Sequence, residues 1–530
     1  MIKKLSNLQL ILISTGGMIG SGWLFSPFYG YQTAGIGVLY SWIITAVITL
    51  IIGLSFAQIC TAFPIVGGIY RFMSLTHPKS MGSIFLILGW LSYVVYLPLE
   101  AQAVVQYIGF WEPSLLVSVA NKVELSTRGI ALAMFIILSI TAFNTLVITR
   151  VARVNSIVSF WKILIPLMVA LILISSFGHF HGLTSVANKV NFSFENILLA
   201  VTSSGLAFAF SGFQNGLILA NQVKDPIKAL PYSLFAPILV GLVLYGLLSL
   251  SYLLCLDNQH QLSLTGTAAP LLALVALFGL NWLFTILFID AVVAPLGTTN
   301  VYIAVTSRIL YSVGKEIFPE SFLTRLNKYG APAIALWING FVGIIFLFPF
   351  PTWKELVNFL SSIVVFAYLA GPVSVMVLHR KQPQLLYKFN LFYPTLIGCL
   401  GFICCTWLIY WSGFTNLVYL FITLILIVAG YYAFNTKKET FYATLIKNWY
   451  LLIYLACIVL VSFLRSKALI PFPADNLIIA AIGLIFAYIF RKNSLSSENL
   501  EQNIIKIREE IDFDNTTQSN VIADKQVTQT

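Results

Sequence analysis

The sequence is poor in charged residues. Only 9% of its 530 residues are Asp, Glu, Lys or Arg, whereas soluble domains carry about 25%. So few charged side chains cannot cover the surface of a soluble protein of this length. Of the five histidines only His179 and His181 are close in sequence, with no Cys or carboxylate nearby, and no phosphate-loop motif occurs. The composition therefore excludes a soluble enzyme, and a primary pump would need a second chain to supply nucleotide binding.

Cysteine is also scarce. The six cysteines lie within or at the ends of apolar segments: Cys60, Cys255, Cys399, Cys404, Cys405 and Cys457. Such positions are typical of small core side chains and give no disulfide framework. We expect no metal site and no cofactor.

Long apolar runs are abundant. Hydrophobic residues make up 59% of the chain and the mean hydropathy is +0.90. We recognise fourteen runs long enough to cross a bilayer, at about 8–35, 37–62, 82–109, 129–148, 154–176, 196–221, 231–255, 270–309, 332–350, 355–378, 391–412, 414–434, 449–464 and 476–490. The eighth run is overlong, so it is either one helix that continues beyond the bilayer or a helix with a short partner. The chain is predicted to be an all-α, multi-pass membrane protein.

Positive charge is distributed unevenly between the two sides of these spans. If the N-terminus lies inside, 23 of the 30 Lys and Arg residues fall inside, six fall outside, and Lys162 lies within a span. Cytoplasmic loops carry this excess, so we expect both termini in the cytoplasm and the protein in the cell (inner) membrane. Met1 to Lys4 lead into a span without a cleavage site, so we expect the first span to be retained.

Two spans are interrupted by glycine and hydroxyl residues. The first contains STGGMIGSGWLF (Ser14–Phe25) and the sixth contains SSGLAFAFSGFQNG (Ser203–Gly216). Lipid offers no partner for unpaired backbone groups, so such breaks occur where they face protein, water or a ligand. Two broken helices five spans apart favour a transporter with inverted repeats and a site at the membrane midplane. Alternatively, the small residues serve only close helix packing.

GGMIGSGWLF (Gly16–Phe25) and FPIVGGIYRF (Phe63–Phe72) resemble the amino acid/polyamine/organocation (APC) permeases. Three later pieces are similar to its aspartate-proton symporter branch: FIDAVVAPLGTTN (Phe288–Asn300), PFPTWKELVNFLSS (Pro349–Ser362) and IYWSGF (Ile409–Phe414). The resemblance implies an inverted five-helix repeat transporter fold. Ten core helices would occupy residues 1–378, with about four additional C-terminal transmembrane helices at 379–490. Most relatives have twelve helices, so the last pair is a departure. Residues 491–530 lose the apolar pattern and are expected to form a disordered cytoplasmic tail.

The two breaks are the candidate substrate site. Free N–H groups at Gly20, Ser21 and Gly22, at the positive end of a half-helix, would hold a carboxylate. Free carbonyl groups near Ala209 to Gly212 would hold an ammonium group. Carboxylate and ammonium held together define an amino acid, and the resemblance implies the same roles. The candidate binding residues are Ile19, Gly20, Ser21, Gly22, Phe208, Ala209, Phe210, Ser211, Gly212 and Phe213. The three phenylalanines either close over the substrate or only pack.

Three ionisable side chains lie within spans: Glu100, Lys162 and Asp290. Each costs about 2.5 to 3.5 kcal/mol at the bilayer centre, so each should face a cavity or a partner. Lys162, in SFWKILIPL, matches the fifth-helix lysine of proton-coupled relatives, which implies a role in proton coupling. Glu100 and Asp290 are further candidates for coupling. Alternatively, the three pair as structural salt bridges, or Lys162 extends toward the nearer surface.

These observations predict a secondary active transporter rather than an enzyme. The expected partners are a small-molecule amino acid, protons and the lipid bilayer, with no nucleic acid. The branch resemblance favours an acidic amino acid. Two intramembrane carboxylates against one lysine suit a cationic substrate instead, and a neutral substrate or an exchange mode stays open.

Overall fold

The computed structural model describes residues 6–63, 68–119, 122–146, 151–178, 192–218, 223, 226–256, 266–317, 322–327, 331–386, 393–434 and 441–509. Helices occupy all fourteen predicted spans, numbered here as spans 1 to 14. The chain enters span 1 through a capping box, in which Ser6 and Gln9 each accept a hydrogen bond from the other's backbone N–H. This box satisfies two N–H groups that a helix start leaves unpaired.

Spans 1 to 5 form the first repeat. Span 1 comprises Asn7–Met18 and Gly22–Ala34, span 2 is Val38–Ala62, span 3 comprises Lys79–Val94 and Tyr96–Ile108, span 4 is Thr127–Leu146, and span 5 is Val151–Phe177. Short helices at Gly35–Gly37, Gly68–Arg71, Phe72–Thr76 and Pro113–Leu115 connect them.

Spans 6 to 10 form the second repeat. Span 6 comprises Phe194–Ser203, Leu206–Ala209 and Asn215–Ile218; span 7 is Pro226–Cys255; span 8 is Asn281–Ile317; span 9 is Ala333–Ile345; span 10 comprises Trp353–Tyr368 and Ala370–Lys381. Short helices lie at Phe322–Thr324 and Pro383–Leu385. Spans 1 and 6, at equivalent positions of the two repeats, are both broken, as the inverted-repeat architecture predicts.

The overlong eighth run divides into two helices. A short helix, Pro270–Leu277, precedes the 37-residue helix of span 8. Gly279 separates them with φ of 66°, a conformation that glycine adopts without strain. At about 1.5 Å per residue the longer helix exceeds a bilayer core of roughly 30 Å, so it also projects beyond the bilayer. The eighth run is therefore a helix that continues beyond the bilayer and also has a short partner helix.

Eleven helices in the described residues are individually long and apolar enough to span a bilayer. The remaining spans are 1, 6 and 9: the first two are divided by their breaks, and span 9 has only 13 residues. Large apolar side chains such as Phe135, Leu239, Phe341 and Leu426 point outward and are 58 to 66% exposed. A surface of this kind suits contact with lipid.

One feature departs from an all-helical chain. Strands β1, Leu116–Val119, and β2, Lys122–Leu125, form an antiparallel hairpin between spans 3 and 4. Leu116 pairs with Leu125, and Lys122 of β2 forms an ion pair with Glu355, with 2.6 Å between Nζ and Oε1. The hairpin lies outside the spans, where alternating Val and charged residues favour strands.

The four C-terminal spans are Pro394–Trp411, Phe414–Phe434, Phe441–Ser466 and Ala474–Lys492. The segment predicted as a disordered tail differs from expectation in its first part, because residues 497–509 form a further helix, named here the tail helix. Leu500, Ile504 and Ile507 of this helix are buried in the main core. Residues 510–530 lie outside the described residues.

Candidate substrate and coupling site

Span 1 is broken between Met18 and Gly22. The first half-helix ends at Met18, and Ile19 has φ of −84° and ψ of 81°, which is not helical. The second half-helix begins at Gly22. The break therefore exposes the negative C-terminal end of one half-helix and the positive N-terminal end of the other.

The last carbonyl groups of the first half-helix are bound by side chains from three other spans. The donor–acceptor pairs are Lys162 Nζ to Gly16 O at 3.1 Å, Tyr302 OH to Gly17 O at 3.3 Å, Tyr245 OH to Met18 O at 3.4 Å, and Thr298 Oγ1 to Ile19 O at 3.3 Å. These contacts replace the intrahelical partners that the break removes. Lys162 also places its positive charge at the negative end of the half-helix.

The N–H groups of the break are less free than predicted. The Gly20 N–H donates to Met18 O at 3.0 Å, and the Ser21 N–H donates to Glu100 Oε2 at 2.8 Å. The Ser21 hydroxyl accepts from Trp353 Nε1 at 2.9 Å. A carboxylate therefore does lie at the start of the second half-helix, but it is a side chain of span 3.

Glu100 is fully buried and lies directly against the break. Its second oxygen, Oε1, has no hydrogen-bond partner among the described residues. A β-carbon at position 20 would lie 2.5 Å from this oxygen, so any other residue there would force the carboxylate to shift. Close approach of a side chain to the backbone is thus one physical reason for Gly20.

Lys162 connects span 5 to spans 1 and 8. Besides Gly16 O, its Nζ donates to Thr298 Oγ1 at 2.6 Å, and the side chain is 2% exposed, so it does not extend to the nearer surface. Asp290 is fully buried on span 8 and interacts electrostatically with Lys162, as Glu100 does. Among the described residues, none of the three forms a direct ion pair with another. They form an electrostatic cluster around the break rather than the closed salt bridges of the alternative interpretation.

Span 6 is broken twice. Gly205 and Gly212 adopt φ of 75° and 117°, and they flank the short helix Leu206–Ala209. The freed Ala209 carbonyl accepts from Tyr245 OH at 3.0 Å, and the Gly212 N–H donates to Gln214 Oε1 at 2.8 Å. Ser211 N–H bonds to Phe208 O at 2.7 Å. The predicted break is present, but a tyrosine of span 7 takes one carbonyl that the sequence assigned to an ammonium group.

The three phenylalanines of span 6 have different surroundings. Phe208 packs against Tyr96 and Trp353, with ring centroids 5.6 and 5.8 Å away, and its ring lies next to Gly22. Phe210 packs edge-on against Trp42 and Tyr245. Phe213 packs against Tyr368. Phe208 is therefore the one of the three whose ring reaches the span 1 break.

The two breaks also touch each other. A β-carbon at Gly22 would lie 3.1 Å from the Ala209 α-carbon, and one at Gly212 would lie 2.6 Å from the Met18 nitrogen. The glycines therefore serve close packing as well as interruption. The broken segments meet where they are broken, so the packing interpretation applies to these glycines, and the substrate site stays a prediction.

A sequence profile of the amino acid permeases matches residues 5–463. The chain belongs to the amino acid permease family. The prediction of a transporter rather than an enzyme is thereby confirmed, as is the APC resemblance.

Relatives of this permease include two transporters of Bacillus subtilis (strain 168). The glutamate/serine transporter AimA is 30% identical over 519 residues, covering 94% of this chain and 95% of the relative. The aspartate-proton symporter is 28% identical over 507 residues, covering 92% and 96%. The structure also resembles a manganese transporter from Eremococcus coleocola, with a TM-score of 0.51, 14% identity, and coverage of 91% and 95%. That similarity supports the transporter fold alone.

Four residues at the breaks of this permease were not predicted: Tyr245, Thr298, Tyr302 and Trp353. A periodic signal was available for two of them, because Asp290, Ala294, Thr298 and Tyr302 recur every four residues and are all buried. Residues at this spacing share one helix face, and the buried acid marks that face as inward. Tyr245 and Trp353 carry no comparable signal.

Behind the span 6 break of the permease lies a small cavity without charged lining. It is bounded by spans 2, 6, 10 and 11, and the residues are Thr49, Ile52, Ala207, Phe208, Ser211, Phe213, Ser361, Val364, Val365, Tyr368 and Leu408. Three candidate site residues, Phe208, Ser211 and Phe213, face this cavity. Its hydroxyl groups would suit water or a small polar group.

Proposed function

We propose that the permease takes up an amino acid by symport with protons, with an acidic amino acid as the favoured substrate. The observation that carries this proposal is the position of Lys162, whose Nζ joins the carbonyl of Gly16 in the broken span to Thr298 of span 8. Similarity to a glutamate/serine transporter and an aspartate-proton symporter supports the substrate class.

The contacts of Lys162 suggest how a proton would act. A charged ammonium holds the end of the first half-helix to span 8 through two hydrogen bonds. Loss of its proton removes the positive charge that stabilises the negative end of the half-helix. It also removes one of the three N–H donors of the ammonium group. A group that stabilises one arrangement of spans 1, 5 and 8 in one protonation state shifts the balance between conformations. Protonation thereby becomes linked to movement of span 1.

The charges around the breaks favour proton uptake with an acidic substrate. Glu100 and Asp290 together outnumber Lys162, so an anionic amino acid would enter a region that is already negative when all three are charged. Neutralising a carboxylate by protonation removes this repulsion. A cationic amino acid would need no such compensation, and a neutral one would need less. Arginine and serine are therefore the informative competitors.

The test is uptake by purified permease in proteoliposomes with an imposed pH gradient. Labelled glutamate, aspartate, serine, arginine and leucine are compared, with and without a protonophore that collapses the gradient. We expect accumulation of glutamate or aspartate that disappears with the protonophore. Accumulation of arginine alone would overturn the acidic assignment, and uptake unaffected by the protonophore would overturn proton coupling.

Replacing Lys162 tests the coupling role. Lys162→Ala should abolish accumulation driven by the pH gradient while exchange between equal concentrations of substrate persists, because binding at the break does not require the ammonium. Lys228 provides a matched control, since it is a lysine outside the cluster, and Lys228→Ala should accumulate substrate normally. Gradient-driven accumulation by Lys162→Ala with unchanged pH dependence would contradict the assignment.

We also propose that both termini lie in the cytoplasm and that the protein resides in the cell (inner) membrane. The excess of Lys and Arg on one side of the spans supports this orientation. A reporter that is active only in the cytoplasm should be active when fused after Arg491 and inactive when fused after Leu115, between spans 3 and 4. The opposite pattern would reverse the orientation.

A further inference from the structure

We propose that the Glu100 carboxylate is an internal placeholder for the substrate carboxylate, and that substrate binds at the span 1 break only when Glu100 is protonated. This inference rests on the proposed function, because it concerns the same site. It assigns to Glu100 the step that links substrate binding to a proton.

Glu100 occupies the N–H group at which the substrate carboxylate is expected. Glu100 Oε2 accepts the Ser21 N–H at 2.8 Å, at the start of the half-helix Gly22–Ala34. A helix N-terminus with an available N–H is where an anion binds most readily. The sequence predicts the α-carboxylate of an amino acid at this N–H, so the side chain and the substrate require the same donor.

Only one of the two carboxylate oxygens of Glu100 has a hydrogen-bond partner among the described residues. Its Oε1 is fully buried, has no hydrogen-bond partner among the described residues and faces Gly20. A buried charged oxygen without a partner is costly, since burial removes water without replacing its hydrogen bonds. Protonation at this oxygen removes the charge and supplies a donor. The contact to Ser21 is therefore not a fully satisfied structural bond.

The charged groups around Glu100 are unbalanced in favour of negative charge. The titratable groups that interact with Glu100 are Lys162 on span 5, Tyr96 one turn earlier on span 3, and Tyr245 on span 7. Span 8 adds Asp290, which acts on Lys162. One ammonium thus serves two carboxylates before any substrate arrives. A third carboxylate beside Ser21 would meet like charge, so its arrival favours proton uptake by Glu100.

The resulting cycle is balanced in protons. Glu100 takes up one proton on the side where substrate binds, and its neutral carboxyl group gives up the Ser21 N–H to the substrate carboxylate. After the site opens to the other side, departure of the substrate returns the N–H, and Glu100 releases the proton there. One proton accompanies each substrate through this step.

The experiment measures substrate affinity against pH in purified protein, for wild type, Glu100→Gln and Glu100→Asp. The probe is glutamate if the proteoliposome test shows that glutamate is transported. Otherwise it is the amino acid of that test that the permease takes up. Glutamine imitates the protonated acid. We expect the substrate affinity of the wild type to fall by up to about tenfold per pH unit as Glu100 ionises. Glu100→Gln should bind with an affinity that is independent of pH and at least equal to that of the wild type at neutral pH. It should retain exchange and lose gradient-driven accumulation.

Wild-type pH dependence in folded Glu100→Gln would overturn the proposal, and so would loss of binding by that variant. If Glu100→Gln does not fold, Glu100→Asp decides, because its shorter carboxylate competes less well for the Ser21 N–H. It should bind substrate more tightly than wild type at neutral pH, and unchanged or weaker affinity would overturn the proposal. Binding measured in detergent needs no pH gradient, so failure here is distinguishable from absence of proton-driven uptake in wild-type proteoliposomes.

Discussion

At the residue scale, the breaks depend on glycines that are in close contact with neighbouring spans. Gly20 admits the Glu100 carboxylate, and Gly22 admits the backbone of Ala209. Both roles come from the missing β-carbon rather than from flexibility. Substitution at these two positions should therefore act on the site first, because each side chain would project into the meeting point of spans 1, 3 and 6.

We expect Gly22→Leu to abolish uptake and to weaken substrate binding at least about tenfold, roughly 1.4 kcal/mol. The leucine would collide with the Ala209 α-carbon and the Phe208 ring. Gly20→Leu should act similarly, because its side chain would fill the space between Glu100 and Thr298 at the break. Gly430→Leu is the matched control, since a β-carbon there meets nothing within 4 Å. Binding is measured in detergent after checking membrane insertion, and normal uptake by Gly22→Leu would contradict the prediction.

The charged members of the site could be predicted from sequence, whereas Tyr245 and Trp353 could not. Glu100, Lys162 and Asp290 are conspicuous because charge within an apolar run is costly. Tyr245 and Trp353 are not, since buried aromatic residues occur throughout this core and most of them only pack. Their role depends on which polar group lies opposite, a backbone carbonyl for Tyr245 and the Ser21 hydroxyl for Trp353, and that is decided by how spans 7 and 10 pack against the breaks.

At the element scale, glycine clusters correctly located both broken helices. What they could not indicate was the partner of each freed backbone group. The sequence assigns the N–H groups of span 1 and the carbonyl groups of span 6 to the substrate. In the structure, Glu100 accepts the N–H of Ser21, and Tyr245 donates to the carbonyl of Ala209. Local sequence determines that a helix breaks, and the long-range contacts determine what fills the gap.

The second break of span 6 gives a prediction at this scale. Gly212→Ala should lower the thermal stability of the detergent-solubilised protein and abolish binding, because its φ of 117° disfavours alanine and the β-carbon would lie 2.6 Å from the Met18 nitrogen. Gly413→Ala shares the positive φ, 88°, but meets nothing within 4 Å. It should cost only the backbone strain, about 1 kcal/mol. Equal losses in the two variants would argue against contact between the breaks.

At the scale of the whole molecule, the family resemblance predicted the ten-helix core and the four additional spans, but not the tail helix. Leu500, Ile504 and Ile507 stand at i, i+4 and i+7, the spacing of an amphipathic helix, but the segment around them is rich in polar and charged residues. The composition of residues 491–530 therefore resembles a disordered segment. The helix forms because it packs on the segment between spans 2 and 3, and that contact is not visible in local sequence.

The tail helix is attached to the transporter by both polar and apolar contacts. Within the helix, Asn503 Nδ2 donates to Ser74 O at 3.3 Å and three apolar side chains are buried, and just before the helix Leu495 N–H donates to Thr76 O at 3.0 Å. Ile504 is 5% exposed, whereas its neighbour Ile505 is 52% exposed. Ile504→Asp removes a buried side chain that contributes about 1.5 to 3 kcal/mol and places a carboxylate there instead. Ile505→Asp makes the same chemical change on the exposed face.

We therefore expect Ile504→Asp to release the tail helix and Ile505→Asp to leave it in place. Limited proteolysis within residues 497–509 should be much faster in Ile504→Asp than in wild type, and the variant should unfold at a lower temperature in detergent. Because Thr76 and Ser74 lie in the connection to span 3, which carries Glu100, transport should also be compared. Equal protease resistance of the two variants would show that the buried face of this helix does not hold it to the transporter.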